Sequence, residues 1–162
     1  MTIRKATLSD LDRLSTVEEI CFPPEEACSK ERFIDRLTHY GDHFLLLYKD
    51  NELVSFIDGL VSDERTLTDE MYEDASLHDP LGDYQMIFGV NTLPEYRNRG
   101  YGGLLIEAMI DLAREEGRKG VILTCKDNMV HYYEKFSFTN EGRSDSTHGG
   151  ESWYQMFYAI NE

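Results

Sequence analysis

Hydrophobic positions along the chain switch between a two-residue and a three-to-four-residue period, and each switch marks an element. Residues 2–6 read as a short strand. Leu11, Leu14, Val17 and Ile20/Cys21 then recur at helical spacing, with Ser9 placed to cap the helix. Residues 21–28 carry Pro23 and Pro24, which remove backbone donors and fix φ, so a loop is predicted. Ser29 caps a second helix with Phe33, Ile34 and Leu37 inward. Residues 44–48 and 53–60 are apolar strands around Lys49-Asp50-Asn51-Glu52, a hairpin turn by composition. Residues 62–80 are polar and acidic, an insertion with a short helix after Thr68.

The second half repeats the alternation. Residues 84–91 predict a strand. Leu104, Leu105, Ala108, Met109, Leu112 and Ala113 form the apolar stripe of a helix that ends near Gly117. Residues 120–125 are a short strand apolar enough for burial on both faces. Asn128 is placed to cap a short helix through Lys135, and Phe138 with residues 152–160 supplies a closing antiparallel pair around a 142–150 loop. The order β-α-α-β-β-β-α-β-α-β-β implies an α/β (α+β) fold, a mixed central sheet flanked by helices. No linker or repeat interrupts it, so residues 1–162 are expected to form one domain.

Between strand and helix lies Arg97-Asn98-Arg99-Gly100-Tyr101-Gly102-Gly103. The first amides of a helix lack intrahelical acceptors and carry the positive end of its dipole. Glycines let a phosphate approach that backbone, and Arg97 and Arg99 add charge. The segment is an anion cradle suited to a pyrophosphate. It has no Gly-Lys-Ser/Thr ending and no G-x-G-x-x-G spacing, which excludes the common nucleotide loops.

Charge makes that cluster a local exception. Sixteen basic and 31 acidic residues give a net charge of −15, which argues against nucleic acid or an anionic membrane as partner and suits a cationic acceptor. Hydrophobic residues at 41% and aromatics at 12% indicate a packed core, and 162 residues can bury roughly 70% of the unfolded surface. Cys21, Cys28 and Cys125 show no C-x-x-C spacing, so neither a disulfide framework nor a metal is expected, and reduced thiols suit the cytoplasm. No apolar run approaches the roughly 20 residues that span a bilayer.

Arg-x-x-Gly-x-Gly after a strand resembles the acetyl-CoA signature of the GCN5-related N-acetyltransferases (GNAT). Met129-Val130-His131-Tyr132-Tyr133-Glu134-Lys135-Phe136-Ser137-Phe138 is similar to that family's closing tyrosine segment, with Ser137 in place of the usual glycine. Val54 to Gly59, Asp63 to Thr68 and Leu77 to Pro80 resemble the serotonin (arylalkylamine) branch. The resemblance covers nearly the whole chain. It implies a GNAT fold with a splayed strand pair for acetyl-CoA, a co-substrate held by Phe88, Val90, Arg97, Arg99, Gly100, Tyr101, Gly102 and Gly103. Backbone groups at Phe88 and Val90 would pair with the pantetheine amides, and one freed amide would polarise the thioester carbonyl. Tyr133 occupies the place of the family's general acid.

The implied reaction is acetyl transfer to a primary amine, a small-molecule acceptor with an arylalkyl character. Phe22, Pro23 and Pro24 fall where the family closes over its acceptor. Tyr84 and Met86 stand where the serotonin enzymes carry two histidines. Met86 cannot accept a proton and a phenol near pKa 10 is a poor base, so the amine proton is expected to leave through water. Asp58, Glu64 and His78 are the other proton acceptors in reach of the argument, and Cys125 reads as a small core residue rather than a nucleophile. Acetylation of a protein or peptide amine, and a CoA-binding sensor without catalysis, stay open beside the small-amine reading. So does a homodimer.

Overall fold

A computed structural model describes residues 1–146 and 150–160. In chain order its elements are β1 (Thr2–Lys5), α1 (Leu11–Cys21), α2 (Lys30–Tyr40), β2 (Phe44–Lys49), β3 (Glu52–Asp58), β4 (Val61–Ser62), α3 (Asp69–Glu73), β5 (Tyr84–Ile87), β6 (Gly89–Thr92), α4 (Tyr101–Glu115), β7 (Gly120–Cys125), α5 (Val130–Glu134), β8 (Thr139–Arg143) and β9 (Tyr154–Ala159). The chain divides into two compact units, Met1–Gly59 with Gly89–Met109, and Leu60–Phe88 with Ile110–Glu162.

The first unit is built on an antiparallel sheet in the order β1-β2-β3-β6. β2 lies inside that sheet, and its Phe-Leu-Leu-Leu run is buried on both faces. Asp50 and Asn51 have φ of 52° and 64°, the left-handed pair of a two-residue hairpin turn, which sets Lys49 opposite Glu52. Phe33 and Tyr40 from α2 pack on Phe44 and Phe56, with ring centroids 5.5–6.4 Å apart. Ser29 caps α2 as expected, its Oγ accepting the Arg32 amide at 3.2 Å. Ile34 faces solvent, whereas Arg36 is buried in line with Phe33, Leu37 and Tyr40.

Ser9 is not the cap of α1. Asp10 is the residue before the helix, and its carboxylate accepts the Thr7 amide at 2.9 Å and pairs with Arg4 at 2.6 Å. Ser9 bonds the Thr7 hydroxyl instead. The buried face of α1 is Leu14, Ser15, Val17 and Glu18, and Ile20 is exposed. A carboxylate thus takes a place in the apolar stripe.

The second unit holds the order β4-β5-β7-β9-β8, with β5 and β7 parallel and the other neighbours antiparallel. A parallel pair needs a long crossover, and α4 supplies it. The buried stripe of α4 is Leu105, Ile106, Met109, Ile110 and Ala113, rotated from the expected one, and Leu104 is exposed. Gly117, at φ 77°, ends the helix while the Arg118 amide bonds back to the Ala113 carbonyl. Asn128 does not cap α5: it lies in the 3-10 turn Asp127–Met129, and α5 starts without a side-chain cap. Residues 142–146 and 150 of the expected closing loop are described; residues 147–149 lie outside the described residues. The acidic insertion does contain a short helix, α3. Its far end is held by the buried Arg118 guanidinium, which donates to the Pro80 and Gly82 carbonyls at 2.9 and 2.7 Å.

Candidate active site

Phe88 divides the expected 84–91 strand. β5 before it pairs with β7, and β6 after it pairs with β3, so the two halves hydrogen-bond into different sheets. The resemblance implied a strand splaying from its neighbour; the pairing divides that strand, with β5 on β7 and β6 on β3. β6 is the last strand of its own sheet, so among the described residues one of its edges has no paired strand.

The cradle follows in the first unit. Pro94–Tyr96 forms a 3-10 turn, Asn98 takes φ 63°, and Gly100 takes φ 84°. The Gly100 carbonyl accepts the Leu104 amide at 3.1 Å, which makes Gly100 the residue at which α4 begins. Among the described residues the amides of Tyr101, Gly102 and Gly103 have no backbone acceptor. Arg97 and Arg99 are exposed beside them. Arg97 Nε donates to the Thr92 carbonyl at 3.0 Å, and Arg99 lies 5.6 Å from the Tyr96 ring centroid. Lys49, not singled out from sequence, adds a third cation by donating to the Tyr101 hydroxyl at 3.1 Å.

The same unit holds a buried acidic cluster. Asp58 is 2% exposed, paired with Arg36 at 3.3 Å and accepting the Tyr40 hydroxyl at 3.4 Å, so it is no surface carboxylate. Burial still raises its pKa. Glu18 accepts the Asn91 amide at 2.7 Å on one oxygen and the Cys28 backbone amide at 2.8 Å on the other. Burial, reinforced by Asp58 and opposed by those hydrogen bonds and by Arg36, raises Glu18 to about 7. Glu18 thereby ties β6 to the proline loop. In that loop Phe22 is half-buried, Pro23 and Pro24 are exposed, and the Glu26 and Ala27 amides fold back on the Pro23 carbonyl.

In the second unit Tyr133 is half-buried, its ring edge-on to Tyr132 and Phe138 at 5.2 and 6.0 Å. Its hydroxyl makes no hydrogen bond among the described residues. Burial, with Cys125 next, raises its pKa well above the ordinary 10, so the phenol stays protonated. Burial likewise pushes the Cys125 thiol up to about 11, which disfavours the thiolate a nucleophile needs. Tyr72 from α3 packs on Phe88 with centroids 4.6 Å apart, and its hydroxyl shares a hydrogen bond with Thr124 at 3.2 Å. Tyr84 is half-buried against Phe157, and Met86 is fully enclosed. His78 Nδ1 accepts the Val61 amide at 3.0 Å, while Glu64 is exposed.

Val90, Phe22 to Pro24 and the cradle residues therefore belong to the first unit, and Tyr84, Met86, Phe88 and Tyr133 to the second. Sequence reading missed Glu18, Asn91, Tyr72 and Lys49. Glu18 had a signal: it falls at i+4 from Leu14, inside a stripe that should be apolar. Asn91 and Tyr72 had none, because their roles depend on pairings distant in sequence.

The model of the Acetyltransferase (GNAT) family matches residues 11–138. The chain is 28% identical over 156 residues to serotonin N-acetyltransferase of Mesocricetus auratus, covering 84% of this chain and 74% of that protein. It is 25% identical over 140 residues to "Probable hydrolase YhcX" of Bacillus subtilis, covering 82% of this chain but only 27% of that longer protein. A GNAT-like decarboxylase, GphF, solved with isobutyryl-CoA, shares the fold with a TM-score of 0.83 at 22% identity, covering 99% of this chain and all of that one. A strand divided at Phe88, a helix opened by Gly100 and a family match across most of the sequence agree: the chain belongs to the Acetyltransferase (GNAT) family.

Proposed function

We propose that the chain transfers the acetyl group of acetyl-CoA to the primary amine of a small molecule with an apolar portion, by direct attack. The observation that carries the reading is the row of amides at Tyr101, Gly102 and Gly103, without backbone acceptors and flanked by Arg97 and Arg99, in a chain of this family. Such a row binds a pyrophosphate without side-chain rearrangement. The free edge of β6 at Val90 supports a role for that backbone, with Phe88, in holding the pantetheine and polarising the thioester. The family match takes in parts of both units, which supports treating residues 1–162 as one acetyltransferase domain. Three free cysteines fit a reducing cytoplasm.

In the step itself the amine nitrogen attacks the thioester carbon, a C–N bond forms and the C–S bond breaks. Tyr133 gives its phenolic proton to the departing thiolate, and the surplus amine proton leaves to water. An alkylamine near pKa 10 must be presented neutral, which costs about 4 kcal/mol at pH 7. The test is thiol release from acetyl-CoA with a panel of amines and short peptides. Acceptor-dependent release with small amines is expected. Release with peptides alone would move the substrate class, and acetyl-CoA binding without release to any acceptor would make the chain a sensor.

A further inference from the structure

In the cluster around Glu18, Asn91 carries a buried polar atom that makes no hydrogen bond among the described residues. Asn91 is 4% exposed, and its Oδ1 has no hydrogen-bond partner. Its orientation is not free. Nδ2 donates to Glu18 Oε1 at 2.7 Å, and Glu18 Oε2 is taken by the Cys28 amide. Rotating the carboxamide by half a turn would set Oδ1 against a carboxylate oxygen, acceptor against acceptor. When ionised, Glu18 therefore locks Asn91 with its oxygen turned away from the carboxylate. Leaving a buried carbonyl unpaired is costly, and a fold tolerates it where a donor arrives later.

The neighbouring residue adds no side chain on the side of that oxygen. A Cβ added to Gly89 would lie 3.4 Å from Asn91 Oδ1 and 3.9 Å from Nδ2, so the oxygen is the nearer atom. Gly89 and Asn91 are alternate residues on the same face of β6, and Gly89 carries nothing to cover the oxygen. Val90, between them, belongs to the backbone proposed to hold the thioester.

On the reading that the chain acetylates a primary amine, we propose that Asn91 Oδ1 binds the acceptor: it takes one N–H of the attacking amine, and Glu18 is the residue that positions it. A primary amine has two N–H bonds and a lone pair when neutral. One N–H can stay on Asn91 while the lone pair attacks and the other proton leaves. As the C–N bond forms, positive charge grows on nitrogen and the N–H···O bond strengthens, so the contact favours the transition state over the bound ground state. An N-methyl secondary amine has one N–H, which it must lose, and cannot keep the anchor.

The experiment compares a primary amine with its N-methyl derivative. In Asn91→Leu, kcat/KM for the primary amine is expected to fall about 10- to 1000-fold, the range for losing a hydrogen bond that forms fully in the transition state. The parent's preference for the primary over the N-methyl amine should collapse, and calorimetric affinity for acetyl-CoA should stay within about twofold. Glu18→Gln leaves Asn91 in place but lets its amide turn, so the same preference should shrink with acetyl-CoA binding again retained. Loss of packing alone would lower rates without moving that ratio. Should Asn91→Leu not fold, Asn91→Ser, smaller and polar, is read in the same assay. A folded Asn91 variant with the parent's rate and preference overturns the inference. A parent that binds acetyl-CoA yet acetylates no amine overturns the underlying function instead.

Discussion

Glu18→Gln probes the buried cluster without reference to catalysis. In the unfolded chain Glu18 ionises near its ordinary value of 4.5, and in the folded one near 7, where burial outweighs the help from Asn91, Cys28 and Arg36, and Asp58 adds repulsion. Between those values the folded state binds the extra proton, so stability falls as pH rises through the interval and levels off above it. A carboxyl moved from 4.5 to about 7 corresponds to roughly 3 kcal/mol, at about 1.4 kcal/mol per tenfold change. Gln cannot ionise and has no such dependence on pH. Other groups are common to both proteins, so the difference between variant and parent reads Glu18 together with its coupling to Asp58. Urea unfolding at about pH 5 and about pH 8 measures it, and the variant should gain on the parent by up to about 3 kcal/mol across that span. A difference that stays level within about 0.5 kcal/mol would refute the reasoning and leave Glu18 an ordinary ionised residue.

Tyr133→Phe should lower turnover about 10²- to 10⁴-fold with acetyl-CoA affinity unchanged, because it deletes one proton and no hydrogen bond; full turnover where chemistry limits the rate would remove Tyr133 as the acid. Its thermal unfolding should match the parent's, which calorimetry can check. Gly102→Glu, with an anion at the mouth of the amide row, should abolish acetyl-CoA binding by calorimetry while leaving circular dichroism unaltered, and undiminished binding would relocate the pyrophosphate. Ser137 sits at φ 72°, where a side chain is strained, so Ser137→Gly should raise stability by about 1 kcal/mol in urea unfolding.

Ser137 also shows how sequence and structure divide the work. Its left-handed backbone is the conformation glycine adopts most readily, and only the tertiary structure reveals that serine takes it here. The periodicities of the chain were enough to place its strands and its main helices, since the spacing of apolar residues is itself the physical cause of which face is buried. The glycine turn was legible for a similar reason. Glycines and arginines contiguous in sequence act through the local backbone, and a helix start at Gly100 needs no distant partner. Local signals failed at the caps: Ser9 and Asn128 have the right chemistry, but Asp10 holds the Thr7 amide and a 3-10 turn takes in Asn128. They could not reveal that Asp58 is buried with Arg36 and Tyr40, or that Tyr72 lies on Phe88. Nor could they bring Glu18 to Asn91, which lie on α1 and β6. Those contacts join residues separated by up to 73 positions. The sequence by itself determined which segments are strands and helices and that a glycine turn opens one of those helices. Only the tertiary structure decided which polar groups are stripped of water together, because desolvation depends on what every other element packs against them.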